Sequence, residues 1–150
     1  MDVIPGKNTL PGVTVPVFTA SREFRKQKLQ DEAKYGVVID DASRDAGNVP
    51  VTTLRPGLVL VRVEAAGATQ GMFVPSTHAN APLAADVEMA GILNEYVNMI
   101  ESTGVAADKS AHIVRMGVAD YAQLIWDTVD PVLIDSLRDA MPLVDVIEAP

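Results

Sequence analysis

Beyond position 50 the apolar residues fall into short runs separated by turns rich in Gly, Pro or Ala, and this spacing constrains the fold more than any other feature of the chain. Leu58-Val59-Leu60-Val61-Arg62-Val63 reads as a strand buried on much of both faces, because apolar side chains fill both alternating sets of positions. Met72-Phe73-Val74-Pro75 after Gly71, Met89-Ala90-Gly91-Ile92-Leu93 and Ala111-His112-Ile113-Val114-Arg115-Met116 read as further strands. Tyr96, Val97, Met99 and Ile100 fit either another strand or a helical turn. Ahead of the first strand, Leu54-Arg55-Pro56-Gly57 marks a turn in which Pro presets φ at the second position and Gly is free to take positive φ at the third, as a type II turn requires. Near the end, Asp130 and Pro131 supply an N-cap and a first helical position, and Leu133, Ile134, Leu137, Ala140 and Met141 recur at helical spacing. Pro142 stops that helix, and Val144-Asp145-Val146-Ile147 returns as a final strand. A helix of roughly 11 residues is marginal by itself, so it must pack on the β structure. The pattern predicts a small, mostly β fold with a small C-terminal helix (α+β), in a domain over residues 51–150.

Residues 1–50 have a different texture. Pro5-Gly6, Pro11-Gly12, Pro16, Gly36, Gly47 and Pro50 break any long element, so the segment reads as an extended arm. Within it, Val13-Thr14-Val15-Pro16-Val17-Phe18 has the period of two of a strand, with Val13, Val15 and Val17 on one face. Pro16 lacks an N–H, which limits this to an edge strand or one bonded along a single side. Ser21 as N-cap, Gly36 as a stop and good helix formers between them predict a helix over residues 21–35. Its apolar residues Phe24, Leu29 and Ala33 make only a thin stripe, so it reads as a solvated surface helix or one that docks on a partner.

Charge and composition exclude several function classes. The first fifty residues carry seven basic and seven acidic side chains, so the whole net charge of −8 falls on the remainder. An acidic body repels phosphate and does not suit nucleic-acid binding. The chain has no cysteine, which rules out thiol nucleophiles, thiolate metal sites and disulfides. The start lacks a signal-like basic and apolar pattern, and no stretch of about 18 apolar residues offers a membrane span, so a soluble protein made in the cytoplasm is expected.

The residues that could carry chemistry are few. Asp40-Asp41 follows the apolar Val37-Val38-Ile39, as magnesium-holding carboxylates do at strand ends, but adjacent residues on an extended chain point apart and no phosphate loop accompanies them. A turn before Ala42-Ser43 is the simpler reading. His78 and His112 are the only imidazoles and stand in no ligand-spaced cluster; His78 reads as a loop residue and His112 as a strand residue. Asp127, Asp130 and Asp135 lack the Gly and terminal Glu of a calcium loop. No Ser sits in a nucleophile elbow. Tyr121 and Trp126, with Leu124 and Ile125, form a core or subunit-interface cluster, since aromatics at 5% are too sparse for a sugar-binding platform. No catalytic residue, cofactor or metal is expected.

Taken in order, Thr53-Leu54-Arg55-Pro56-Gly57-Leu58-Val59-Leu60, Phe73-Val74-Pro75, Ala90-Gly91-Ile92-Leu93 and Ile113-Val114-Arg115-Met116-Gly117-Val118 resemble the lambda-like head decoration proteins of bacteriophages. Tyr121 to Leu124, Trp126, the helix around Leu137 and the strand from Val144 to Ile147 are similar to that family's C-terminal order, so the resemblance covers about two-thirds of the chain. It implies a compact β-barrel-like decoration domain that assembles as a homotrimer on the outer surface of the expanded capsid and cements it. It also implies synthesis in the bacterial host cytoplasm, no catalysis, and no nucleic-acid or membrane partner. The implied partner is the major capsid protein, to which an N-terminal arm adds a strand; here Val13, Thr14, Val15, Val17 and Phe18 fill that role. The segment is longer than the family's arm and contains the predicted helix, which is a departure. Ordering about ten arm residues costs on the order of 10–20 kcal/mol. Burying Val13, Val15, Val17 and Phe18 returns on the order of 6–12 kcal/mol, and about five backbone hydrogen bonds add roughly 1 each. One arm about breaks even, and three arms on one trimer attach through effective concentration. The rival expectations are a tail or spike component, an oligomeric ligand-binding β-barrel, or a small metal-dependent enzyme using Asp40, Asp41 and His112.

Overall fold

The computed structural model describes residues 25–27 and 34–148. Strand β1 (Arg25–Gln27) is followed by β2 (Lys34–Ile39), β3 (Thr53–Leu54), β4 (Val59–Arg62), β5 (Phe73–Pro75), β6 (Ala90–Leu93), β7 (Val97–Asn98), β8 (Lys109–Val114) and β9 (Gly117–Asp120). A nine-residue helix, α1 (Pro131–Asp139), and a last strand, β10 (Val144–Ile147), complete the order. Five strands close a barrel in the order β2-β5-β4-β6-β8, with β1-β9-β10 as a separate three-stranded sheet and β3-β7 as a two-stranded one. The expected mostly β architecture with one small C-terminal helix is the one found. Among the described residues no helix is long and apolar enough to cross a membrane.

The two-sided burial of β4 has a direct physical reading. Its alternating side chains enter two different cores. Leu58 and Leu60 point into the barrel with Ile39, Phe73, Leu93 and Ile113. Val59, Val61 and Val63 point outward, into a second core with Trp126, Ile134, Leu137 and Met141. Strands β5, β6 and β8 divide in the same way: Phe73, Leu93 and Ile113 lie inside, and Val74, Ile92 and Val114 lie outside. The C-terminal helix and the β9-β10 pair thus form a second layer over the barrel wall. Gly91 makes room for the inner core, because a Cβ there would lie 2.4 Å from Ile113 Cδ1.

The C-terminal expectations hold in detail. Asp130 caps α1 by accepting the Val132 N–H at 3.0 Å, and Pro131 takes the first turn. Ile134 and Leu137 are the helix residues that become buried. The segment around Val97, open between strand and helical turn, is strand β7, paired with β3.

The helix expected over residues 21–35 is corrected. Arg25–Gln27 is a strand paired antiparallel to β9, and Lys34 and Tyr35 begin β2, in which Gly36 lies mid-strand rather than ending a helix. The thin apolar stripe gave a helix little to bury, while both segments gain backbone ladders on strands far along the chain, so tertiary pairing overrides helix propensity. The barrel accordingly draws on residues before Val51, which the sequence assigned to the arm. Val13, Thr14, Val15, Val17 and Phe18 lie outside the described residues.

Candidate functional site

One end of the barrel gathers most of the buried polar chemistry. The turn forms over residues 55–58, one position on from the 54–57 reading, with Pro56 second and Gly57 third: Gly57 takes φ +95°, and the Leu58 N–H donates to the Arg55 carbonyl at 3.3 Å. This turn aims Arg55 at the loop that follows β2. Its Nε and Nη2 donate to Asp45 Oδ2 and Oδ1 at 2.7 and 2.8 Å, a fork-to-carboxylate pair, and its backbone N–H donates to Oδ2 at 3.3 Å. The Asp45 side chain is fully buried. The hydrogen bond to Asp45 holds the Arg55 guanidinium charged, above its ordinary range. Gly47 leaves space for this fork, since a Cβ there would sit 2.9 Å from Arg55 Nη2. Thus Leu54, Arg55, Pro56 and Gly57 have a structural role in fastening the 40–50 loop to the barrel.

A second clamp lies at the end of β2. His78 Nε2 is 2.7 Å from Asp40 Oδ2, and both side chains are largely buried. The Asn80 backbone N–H donates to His78 Nδ1 at 3.0 Å, so Nδ1 is an acceptor and the ring proton sits on Nε2, donated to Asp40. Both ring nitrogens are engaged. This arrangement holds the 75–81 turn onto β2 and leaves no nitrogen of His78 to take a proton from a nucleophile. Asp40 to Ser43 form a turn, with the Ser43 N–H donating to the Asp40 carbonyl at 3.0 Å, as expected for that pair of carboxylates.

Asp41 and Asp108 lie beside Asp40, each offering one oxygen within 4.8 Å of the others, a spacing that a hard cation can span. Asp108 Oδ1 already accepts the Asp41 N–H at 2.9 Å. His112 does not join this group. It sits on β8, four residues and roughly 13 Å of strand beyond Asp108, where its exposed ring pairs with Glu95 at 3.2 Å. The constellation of Asp40, Asp41 and His112 weighed from the sequence is therefore not assembled.

Asp127 stands where the second core meets the same loops, at φ +57°. It accepts a hydrogen bond from the Thr77 hydroxyl, while Ser76 Oγ donates to the Trp126 carbonyl at 3.0 Å. Burial pushes the Asp127 carboxyl above the usual carboxylate range, against the opposing pull of Thr77. Trp126 is buried in the second core, and Tyr121 packs half-buried against it with ring centroids 5.2 Å apart. Trp126 is thus part of the second core, with Tyr121 packed on its margin. Asp45, Asp108 and the engaged His78 were missed by sequence reasoning because their partners lie 10 to 67 positions away with no spacing rule to join them.

Compared with known proteins, the chain matches no family model, no curated protein and no solved structure.

Proposed function

We propose that the chain is a capsid decoration protein of a tailed bacteriophage, which binds the outside of the expanded head as a homotrimer and stabilises it. In this reading the arm residues Val13 to Phe18 add a strand to the major capsid protein. The observation that carries it is the order of motifs from Leu54 to Ile147, which resembles the head decoration family over about two-thirds of the chain. The structure lends support in two ways. Those motifs form one continuous scaffold: the 55–58 turn, barrel strands β4, β5, β6 and β8, and the α1-β10 layer. Arg55 of the turn motif is spent on the fork to buried Asp45, which holds the 40–50 loop to the barrel. An acidic body also suits the exterior of a head, away from packaged DNA.

Cementing means joining neighbouring capsomers, so that internal pressure must break additional interfaces. Heads lacking this protein should rupture at lower temperature and under osmotic shock, and adding the purified chain back should restore survival. Equal survival with and without the protein removes the cementing role.

A further inference from the structure

Among the described residues the barrel is closed between β2 and β5 by one residue pair, Ile39 opposite Phe73. On its other edge β2 pairs with β8 at every position from Lys34 to Ile39. Beside the single pair is an open cleft of about 610 Å³, with Gly36, Val37 and Val38 on one wall and Gly71, Met72 and Phe73 on the other. No residue lining it carries a carboxylate, lysine or arginine, so no ion pair between the two walls holds it shut.

A second link between these strands lies just past the pair. Asp40 follows Ile39 at the end of β2, and His78 stands three residues beyond Pro75, the end of β5. Their 2.7 Å contact between Nε2 and Oδ2 therefore bridges the continuations of the same two strands. Each half is oriented by its own loop: the Ala42 N–H donates to Asp40 Oδ2 at 3.3 Å, and the Asn80 N–H donates to His78 Nδ1 at 3.0 Å. Each half is also fastened to a different part of the fold. The 75–81 turn is tied to Trp126 and Asp127 through Ser76 and Thr77. The end of β2 is tied to the β8 side, where the Asp41 N–H donates to Asp108 at 2.9 Å. Five residues on, Asp45 remains held by Arg55, which sets a hinge for any movement of β2.

We propose that the seam between β2 and β5 is a gate in the barrel wall, and that the hydrogen bond from His78 to Asp40 is its latch. When the latch breaks, β2 parts from β5 at Ile39 and keeps its ladder to β8, and the cleft deepens toward the inner core that Ile39 and Phe73 cover. Local opening follows the route that breaks the fewest bonds. Here that route crosses one residue pair, whereas release of β2 from β8 would break six. Both latch side chains are largely buried, so water does not replace their bond until the seam has already loosened. A single hydrogen bond therefore decides whether the gate stays closed. The inference concerns the barrel alone and does not rest on the capsid reading.

Amide hydrogen exchange of the full chain, followed residue by residue by NMR, tests the gate. The Met72 carbonyl accepts the Val63 N–H on the β4 side, so alternation turns the Phe73 N–H across the seam toward β2. His112 gives its N–H and carbonyl to Glu95 and Asn94, so its partner Gly36 faces away from β8 and the Val37 N–H faces it. In the unaltered chain the Phe73 N–H should exchange at least about tenfold faster than those of Val37 and Leu60, because it needs only the local opening. Two variants then identify the latch. The side chain of His78→Asn can still accept the Asn80 N–H but is too short to reach Asp40, whereas His78→Gln places an N–H where Nε2 donates. His78→Asn should speed exchange at Phe73 roughly tenfold, about the contribution of one hydrogen bond, and leave Val37 and Leu60 unchanged, while His78→Gln should stay within about threefold of the unaltered chain. Unchanged exchange at Phe73 in His78→Asn overturns the proposal, as does a rise shared equally by Phe73, Val37 and Leu60, which would assign the bond to the stability of the whole fold. If His78→Asn does not fold, the unaltered chain decides: exchange at Phe73 no faster than at Leu60 overturns the gate.

Discussion

Strands β4 and β2 are both walls of the same barrel, yet they are held in opposite ways. β4 pairs along its length with β5 on one side and β6 on the other, and its side chains are buried in a core on each face. β2 pairs fully only with β8, touches β5 at a single residue pair, and leaves Tyr35 and Val38 exposed. A strand bonded on both edges has nothing left to offer a partner. One bonded on a single edge has backbone groups to spare, so the two walls of one barrel differ in how fully their edges are satisfied.

Substitutions on the two sides of this contrast should behave differently. The largest effect is expected where β4 is anchored: Arg55→Ala leaves the Asp45 carboxylate buried without its partner, and about 3–5 kcal/mol of stability should be lost in chemical denaturation. Loss of less than about 1 kcal/mol would mean that water or another cation replaces the guanidinium. Leu60→Ala, at a fully buried barrel position, should cost about 2–5 kcal/mol by the same measurement. Smaller in size is Asp127→Asn. The Asp127 carboxyl titrates higher in the folded chain than in the unfolded one, so its contribution to stability is fully present below the unfolded value and is lost as pH rises through the folded value. Because the group is partly solvated, Asp127→Asn should stabilise the protein at pH 7 by less than about 1 kcal/mol. That advantage should shrink as the pH falls into the carboxylate range; a constant gain across pH would assign it to backbone conformation at φ +57° instead. Smallest of all, Val38→Lys on the exposed face of β2 should leave stability within about 0.5 kcal/mol while placing a charge beside the uncharged cleft. A large destabilisation there would show that β2 is as deeply committed to the fold as β4.

The same contrast explains how much was legible in the sequence. β4 could be read because apolar residues at every alternating position demand two cores, and α1 because Asp130, Pro131 and the spacing of Ile134 and Leu137 are local signals. β10 followed from Pro142 and the apolar Val144, Val146 and Ile147. β2 was hidden: Lys34-Tyr35-Gly36 ends a stretch of good helix formers, and what makes it a strand is the ladder to β8, 70 to 80 residues along the chain. β9 was hidden for a related reason, since Gly117-Val118-Ala119-Asp120 gains its strand character from β1 and the parallel β10. The polar clamps were harder still. Arg55 was visible as a turn residue, but nothing local joins it to Asp45, and the orientation of His78 depends on the Asn80 N–H as well as on Asp40. Hydrophobic period and turn chemistry are written locally, whereas buried ion pairs are written only in three dimensions.

The most direct test is co-sedimentation of the purified protein with expanded phage heads that lack it, comparing the full chain with one missing residues 1–19. Saturable binding by the full chain alone is the predicted result, with the truncated domain remaining folded in the supernatant. Failure of the full chain to bind, or equal saturation by the truncated one, would contradict attachment to the head through the N-terminal segment.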